Sequence, residues 1–260
     1  MTKRAIRWAF KKFEALINRR GYRISWVPPI LIAEPQAELT PDLEYVIAHF
    51  MLTRPSVFFI QIGANDGISN DPLYRFVVRF GWEGILLEPL PEVYEILTDT
   101  YRGNEKLLLL NAAISDQDGR RTIYTVRMDG VVFQKAHQFS SFRKESLLKQ
   151  TVWVPDIEQR LEERQVECIS FDTLLKKTQG RDVDILQIDT EGYDFTVLNL
   201  IDFSRLKPSI ICYEHVHMSK AQQNEAAKLL FEQGYRLMKD NLDTIAYRSQ
   251  QTFGFRRNPP

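Results

Sequence analysis

The chain has 260 residues, 44% of them hydrophobic and 26% charged, and its 34 basic and 34 acidic side chains leave no net charge. These fractions are those of an ordinary soluble protein. No apolar run approaches the roughly 20 residues that a membrane span needs, and charges at Arg7, Lys11 and Lys12 interrupt the place of a signal-peptide core. Two cysteines, Cys168 and Cys212, lie far apart in apolar contexts, so we expect them reduced and buried in a cytoplasmic protein.

Residues 1–25 form a basic arm, with eight Lys or Arg residues and one acid, Glu14. Its apolar residues fall on one helical face: Ile6, Ala9, Phe10, Phe13, Leu16 and Ile17. Two interpretations stay open, a helix that lies peripherally on an anionic membrane surface and a surface helix docked on the body. The first segment, residues 1–52, is predicted to hold this helix, a proline-bearing connector at 26–41 and a helix that begins at Thr40-Pro41.

From residue 53 to 250, strands and helices are predicted to alternate. The predicted strands are Val57–Ile62, Gly84–Glu88, Lys106–Ile114, Arg121–Val126, Glu167–Ser170, Val183–Ile188 and Ser209–Tyr213. Helices are predicted at 71–80, 91–101, 172–177, from Tyr193 onward and at 220–233. Such alternation indicates an α/β domain with a mostly parallel sheet. Strands at Tyr235–Lys239 and Thr244–Tyr247 form a predicted hairpin, so the last strand is antiparallel. An insert at 127–165 interrupts the domain, and a tail at 251–260 follows it.

The first predicted strand ends in a glycine-bearing turn, Gly63-Ala-Asn-Asp-Gly67. A strand that feeds such a turn and then a helix is the mononucleotide-binding half of a doubly wound fold. Glu88 ends the next predicted strand, at the distance where this fold places an acid for the ribose hydroxyls. Turn and acid together predict a site for a nucleotide-bearing ligand. Asp66 either binds an amino group of that ligand or caps the following helix.

Five segments resemble the FkbM family of S-adenosylmethionine-dependent methyltransferases, in order and in spacing. They are Ile60–Gly67, Leu87–Pro91, Asn111–Asp116, Ile169–Leu174 and Val183–Gly192. The resemblance covers roughly residues 55–248 and leaves out the N-terminal 50 residues and the insert. It implies a class I methyltransferase fold and methyl transfer, commonly to a hydroxyl of a sugar or natural product. Gln187 departs from the family pattern, which often has Lys at this position.

With S-adenosylmethionine as the ligand, the expected contacts divide among successive strand ends. The turn wraps the methionine end, Glu88 accepts from the ribose hydroxyls, and small residues leave room for the adenine ring. Asp116 either accepts from the adenine amino group or serves the turn in which it lies. The predicted cofactor residues are Gly63, Ala64, Asn65, Asp66, Gly67, Glu88, Ala112, Ala113, Asp116 and Asp189.

The acceptor chemistry is expected where two neighbouring strands end, in Asp189-Thr-Glu-Gly192 and Tyr213-Glu-His-Val-His217. A hydroxyl acceptor must lose its proton, so a carboxylate or histidine base is needed. The candidate bases are Asp189, Glu191, His215 and, in the insert, His137. Asp189 and Glu214 are candidate ligands for Mg²⁺, as in catechol-type methyltransferases, and the alternative is a hydrogen-bonded network without metal. His217 is expected only to cap or pack.

The insert at 127–165 carries aromatic residues that suit stacking on a sugar or another flat acceptor, or that form a lid excluding water. We therefore predict an O-methyltransferase with a small-molecule or glycan acceptor. Nucleic acid is disfavoured, because basic charge is confined to the arm and no Asn/Asp-Pro-Pro-Tyr run occurs. One alternative is an oxidoreductase, which the missing G-x-G-x-x-G spacing disfavours. The other is a catalytically idle binding protein, which the gathered acids disfavour. The oligomeric state stays open.

Overall fold

The computed structural model describes residues 43–51, 54, 56–127, 140–149, 151, 154, 156–239 and 242–248. The basic arm at 1–25, the connector at 26–41, His137 and the tail at 251–260 lie outside the described residues. Predictions made for these parts of the chain therefore stay predictions. Within the described residues, no helix combines the length and the apolar character that crossing a membrane requires.

Eleven strands and eight helices follow one another along the part of the chain that the structure describes. The strands are β1 (Phe58–Ile62), β2 (Glu83–Leu87), β3 (Leu107–Leu110), β4 (Ala113–Ile114), β5 (Gly119–Val126), β6 (Ser140–Ser141), β7 (Leu161–Ile169), β8 (Ile185–Ile188), β9 (Ile210–Glu214), β10 (Tyr235–Lys239) and β11 (Asp243–Arg248). The helices are α1 (Leu43–Met51), α2 (Tyr74–Phe80), α3 (Pro91–Thr100), α4 (Lys144–Leu147), α5 (Ile157–Arg160), α6 (Phe171–Lys177), α7 (Asp194–Asn199) and α8 (Lys220–Glu232).

Seven strands form the main sheet, in the order β10-β11-β9-β8-β1-β2-β3. Neighbours from β9 through β8, β1 and β2 to β3 are parallel, whereas β11 is antiparallel to both β9 and β10. The predicted parallel sheet with a C-terminal antiparallel hairpin is confirmed. The second strand of the hairpin lies inside the sheet, between β9 and β10. Strand order reverses beside β1, and in open α/β sheets the crevice at this point is where ligands bind.

The central strands are apolar runs because both faces of the sheet are covered. All five residues of β1 are buried, as are all four of β8. Ile60, Ile85 and Leu186 belong to one buried cluster that continues under α7 and α8. This core fixes the strand ends in space, so the loops that follow them converge on one edge of the sheet. Cys168 and Cys212 are buried free thiols, as expected.

A second sheet, in the order β4-β7-β5-β6, is a feature that the sequence analysis did not predict. Strands β5 and β7 pair antiparallel over eight residues, from Gly119↔Cys168 to Val126↔Leu161. The expected strand at Glu167–Ser170 therefore belongs to this sheet, and it begins at Leu161, inside the expected insert. The sequence does not reveal the first part of this strand, because its outward-facing residues are charged and exposed. They form ion pairs such as Arg164–Glu92.

Candidate active site

A cleft opens at the carboxyl ends of the parallel strands, with an empty volume of about 930 Å³ including its mouth. Its walls come from the ends of β1, β2 and β8, the loop at 69–72, the link between β3 and β4, and β6. The cleft therefore lies at the reversal of strand order described above. Of the predicted site residues, Gly63, Ala64, Asn65, Glu88, Ala112, Ala113, Asp189 and Glu191 line it.

The turn after β1 is held against both neighbouring strands. The amides of Gly63 and Ala64 donate to the carbonyl oxygen of Leu87, at 3.0 and 2.9 Å. Gly63 has φ +80°, and a Cβ at this position would lie 1.7 Å from the carbonyl oxygen of Asp189. Only glycine fits here, because both the backbone conformation and the space exclude a side chain. The turn therefore brings bare backbone to the cleft wall.

Asp66 and Gly67 do not belong to the cleft lining, although they lie in the same turn. The Asp66 carboxylate accepts from the amides of Ile68 and Ser69, at 2.9 and 2.7 Å. Gly67 accepts from the Tyr101 hydroxyl at 3.2 Å, and a Cβ there would meet the side chains of Leu97 and Tyr101. The expectation that Asp66 caps the following helix is wrong, because that helix begins at Tyr74 and the amides of Leu73 and Tyr74 donate to Asp71 instead. A cofactor role for these two residues stays a prediction.

Glu88 follows β2 and is 5% exposed. One carboxylate oxygen accepts from the amide of Asn65 at 3.0 Å, and the other accepts from the amide of Leu90 at 2.9 Å. Burial raises the pKa of Glu88 to about 7, although these two amides act in the opposite direction. The carboxylate is therefore fixed in orientation, and each oxygen retains a lone pair for a further donor.

The adenine side of the predicted site is formed where the chain passes from β3 to β4. Ala112 and Ala113 line the cleft and are each 5% exposed. The Asn111 side chain donates to the carbonyl oxygens of Glu88 and Pro89, at 2.8 and 3.1 Å, and so fixes this passage. Asp116 does not line the cleft. Its carboxylate accepts from the Ser115 hydroxyl at 2.8 Å and pairs with Arg121 at 3.1 Å, which are contacts within the turn, and an adenine role stays a prediction.

Two carboxylates follow β8 into the cleft, Asp189 and Glu191. Asp189 is exposed to solvent at the cleft. Desolvation by neighbouring groups and the charge of Glu191 raise the pKa of Asp189 well above its usual range. Beneath them, buried Asp194 accepts from the amide of Gly192 at 3.2 Å, which holds the turn in place. The sequence prediction that this segment brings acids to the cleft agrees with the structure.

The two histidines after β9 make different contacts, and neither is part of the cleft lining. His215 Nδ1 lies 3.1 Å from the Thr244 hydroxyl, and its role as a base stays a prediction. His217 Nε2 instead lies 3.3 Å from Glu191 Oε2 and 3.5 Å from Glu214 Oε2. The backbone turns between these residues, and the Met218 amide donates to the His215 carbonyl oxygen at 3.0 Å. The Glu214-x-x-His217 spacing, which such a turn brings together, was the signal that the sequence analysis overlooked.

Several buried oxygens in the cleft wall have no hydrogen-bond partner among the described residues. They are Gln61 Oε1, Asp71 Oδ2, Gln187 Oε1 and Thr190 Oγ1. Gln61 is within hydrogen-bond reach of Asp71, so reversing its side-chain amide would pair those two residues. The Thr190 hydroxyl is within hydrogen-bond reach of Asp194 and can donate to its carboxylate. The oxygen of Gln187 remains, and burying an acceptor without a donor is costly. The wall therefore favours a ligand that carries N–H or O–H donors.

The second sheet supplies the other wall of the cleft. Ser140, Ser141 and Phe142 line it, together with Tyr193. The rings of Phe142 and Tyr193 meet edge to face with centroids 4.9 Å apart. The Arg121 guanidinium lies 5.0 Å above the Phe142 ring and donates to the Tyr193 hydroxyl at 3.3 Å. This wall is preorganised, because each ring is fixed by a partner.

The family model of the methyltransferase FkbM domain matches residues 61–237 of the chain. Among solved structures, the chain is similar to methyltransferase FkbM from Methylobacillus flagellatus KT, with 13% identity and a TM-score of 0.44, covering 74% of this chain and 43% of that protein. It is also similar to an O-methyltransferase from Bacillus cereus in complex with SAH, with 8% identity and a TM-score of 0.38, covering 84% and 86%.

A search of curated proteins gave no match. The chain spans less than half the length of the Methylobacillus protein, so the activity of that whole protein does not transfer to it directly. The family model nevertheless covers more than half of the chain, and its matched region contains the turn after β1, Glu88 and the acids after β8. The chain belongs to the FkbM family of methyltransferases, and its parallel sheet with an antiparallel C-terminal hairpin is the class I methyltransferase fold expected for that family.

Proposed function

We propose that the protein transfers a methyl group from S-adenosylmethionine to a hydroxyl of a small molecule or glycan. One observation carries the cofactor assignment. The Glu88 carboxylate is buried at the end of β2 and oriented by two backbone amides, beside a turn where a Cβ is excluded. A buried acid held in this way is costly unless a ligand uses it, and a pair of vicinal ribose hydroxyls supplies the matching donors.

The other features of the cleft fit the same cofactor. Bare backbone at Gly63 and Ala64 admits the methionine end, and Gln187 presents a buried oxygen to its amino group. The small side chains of Ala112 and Ala113 leave a flat apolar slot for adenine. The cofactor, when bound, supplies a methyl group on a positively charged sulfur. The protein residues bind and orient it, and the acids of the cleft match its charge.

The acceptor is proposed to lie between Asp189 and the wall formed by Phe142 and Tyr193. Methyl transfer depends on bringing the acceptor oxygen into line with the methyl group, and fixed aromatic rings provide that positioning. Aromatic faces also suit the C–H faces of sugars. Asp189 lines the cleft and its carboxylate is open to it, so we assign it to accept the hydroxyl proton. Glu191 is the neighbouring candidate.

Isothermal titration of the full chain with S-adenosylmethionine tests the cofactor assignment. We expect binding to the wild type and severe weakening in Glu88→Ala. Glu83→Ala is the matched control, because Glu83 lies at the opposite end of β2, is exposed and pairs with Arg181 on the surface. Failure of the wild type to bind the cofactor would overturn the proposal and favour an idle binding protein.

The acceptor class is tested separately. Candidate glycans and phenolic or polyhydroxylated natural products are incubated with enzyme and cofactor, and products are screened by mass spectrometry for the gain of one methylene. Loss of the signal after blocking the acceptor hydroxyls supports O-methylation. Methylation that persists on such blocked acceptors would contradict the assignment of oxygen as the methylated atom. Oxidation of the same acceptors when a nicotinamide cofactor replaces S-adenosylmethionine would instead favour the oxidoreductase alternative.

A further inference from the structure

We propose that Glu191, Glu214 and His217 bind a divalent transition-metal ion, of which Zn²⁺ and Mn²⁺ are the best candidates, at the edge of the cleft. The role assigned to the ion rests on the proposed O-methyl transfer, whereas its binding does not. This set differs from the pair Asp189 and Glu214 expected from the sequence. It replaces Asp189 with a second glutamate and adds an imidazole nitrogen, and the ligands come from the turn after β8, the last residue of β9 and the turn after β9.

The geometry of the three side chains is that of a preformed ligand set. One possible ligand atom from each residue lies within 4.8 Å of the other two. His217 Nε2 is 3.3 Å from Glu191 Oε2 and 3.5 Å from Glu214 Oε2. With metal–ligand bonds of about 2.1 Å, ligands in a tetrahedral site stand about 3.4 Å apart. The two separations therefore match a metal ion placed between the side chains without rearrangement of the backbone.

The environment of Glu214 independently favours a cation. Its side chain is 12% exposed, and its Oε2 atom is buried and accepts no hydrogen bond from any described residue. Among the described residues, the basic side chain within 4.0 Å of the Glu191 and Glu214 carboxylates is His217. Removing a carboxylate from water without adequate compensation costs several kcal/mol as an order of magnitude. Asp189 and Asp194 lie close enough to repel Glu214, so an ion at this position would relieve the repulsion.

The ligand types indicate which ion fits. Mg²⁺ and Ca²⁺ prefer oxygen ligands, whereas imidazole suits zinc and related transition metals. Three protein ligands leave at least one position open in the coordination shell. Because Glu191 lines the cleft, that position is expected to face the acceptor. There an ion would bind the acceptor oxygen and favour loss of its proton.

Titration of the chelator-treated full chain tests the site. Zn²⁺, Mn²⁺, Mg²⁺ and Ca²⁺ are added separately and followed by calorimetry, and the metal content is measured after dialysis. We expect one Zn²⁺ or Mn²⁺ per chain and weaker binding of the other two ions. His217→Gln is expected to weaken binding at least about 100-fold, since even an outer partner of a metal ligand is worth 10–100-fold. His215→Gln is the matched control and keeps full affinity.

The outcomes separate this inference from the proposed function. S-adenosylmethionine is titrated into the same metal-free protein. The metal site is overturned if the protein binds cofactor but no metal, or if wild type and His217→Gln bind metal with equal affinity. Either result leaves the methyltransferase assignment intact. Absence of cofactor binding overturns the methyltransferase assignment instead. Circular dichroism checks folding, and if His217→Gln is unfolded, Glu191→Gln, in an accessible turn, gives the decisive comparison.

Discussion

Glu88→Gln offers a test in which pH moves two measured quantities in opposite directions. The pKa of Glu88 is raised from 4.5 to about 7 by burial. The folded protein therefore holds this proton more tightly than the unfolded chain does. Between pH 4.5 and about 7 the free energy of unfolding must fall as pH rises. At roughly 1.4 kcal/mol for each pKa unit, Glu88 alone contributes a loss of about 3 kcal/mol across this window.

Cofactor binding responds with the opposite sign, because ribose hydroxyls donate to the ionised carboxylate. With a pKa of about 7, the ionised fraction of Glu88 increases about tenfold between pH 6 and pH 8. The affinity for the cofactor should therefore rise about tenfold over the same range. Glutamine keeps the shape of the side chain and does not titrate. It can accept from only one of the two amides, those of Asn65 and Leu90, so some affinity is lost at every pH.

The measurements are chemical denaturation of the free protein and calorimetric titration with cofactor, both from pH 5 to pH 8. Subtracting the Glu88→Gln profile from the wild-type profile removes the titration of every other group, including the amino group of the cofactor. The expected difference is a stability that falls and an affinity that rises with pH. Parallel profiles for wild type and variant would refute the assignment of Glu88 as an ionising ribose acceptor.

Three further substitutions address the turn, the core and the acceptor wall. Gly63→Ala should abolish cofactor binding and lower the melting temperature, because the added Cβ would lie 1.7 Å from the Asp189 carbonyl oxygen. Gly103→Ala is the control, because Gly103 has φ +79° but open space around it, so this variant shows the conformational cost alone. Asp184→Asn should lower the free energy of unfolding by about 1–3 kcal/mol, measured by chemical denaturation, and leave cofactor affinity unchanged. Buried Asp184 accepts from the Phe58 amide and from Arg54 at the end of β1 distant from the cleft. A comparable loss of cofactor affinity would contradict this separation of stability from binding. Phe142→Ala should raise KM for the acceptor, measured by steady-state kinetics, and leave the Kd for the cofactor unchanged, measured by calorimetry. Weaker cofactor binding in this variant would place Phe142 on the donor side instead.

The main sheet was predictable because its strands are short apolar runs followed by turn residues. The turn at Gly63 and the acid at Glu88 were predictable because the fold demands both at fixed places. The second sheet was not, since β7 contains four consecutive polar residues, Glu162 to Gln165, and its partner β5 lies 35 residues upstream in the chain. Nothing local marks such long-range pairing.

The residues of the site also divide into those that could be predicted from the sequence and those that could not. Acids at strand ends were found because parallel strands bring their carboxyl ends to one edge. Asp66 and Asp116 were harder to interpret, because aspartate in a turn is often satisfied by nearby backbone or a neighbouring side chain. His217 was missed because its contact with Glu191 depends on how the turn after β9 folds back. That path depends on tertiary packing and is not encoded in the strand pattern.

The passage from β3 to β4 has a consequence for how the family can diversify. The backbone leaves the main sheet after Leu110 and joins the second sheet at Ala113, with Asn111 tying the crossing to the end of β2. Under the proposed function, most of the donor site is built on the main sheet, whereas the part of the acceptor wall at Ser140, Ser141 and Phe142 belongs to the second sheet. Changes in β6 and at Phe142 can therefore alter the choice of substrate while the turn after β1 and Glu88 are inherited unchanged.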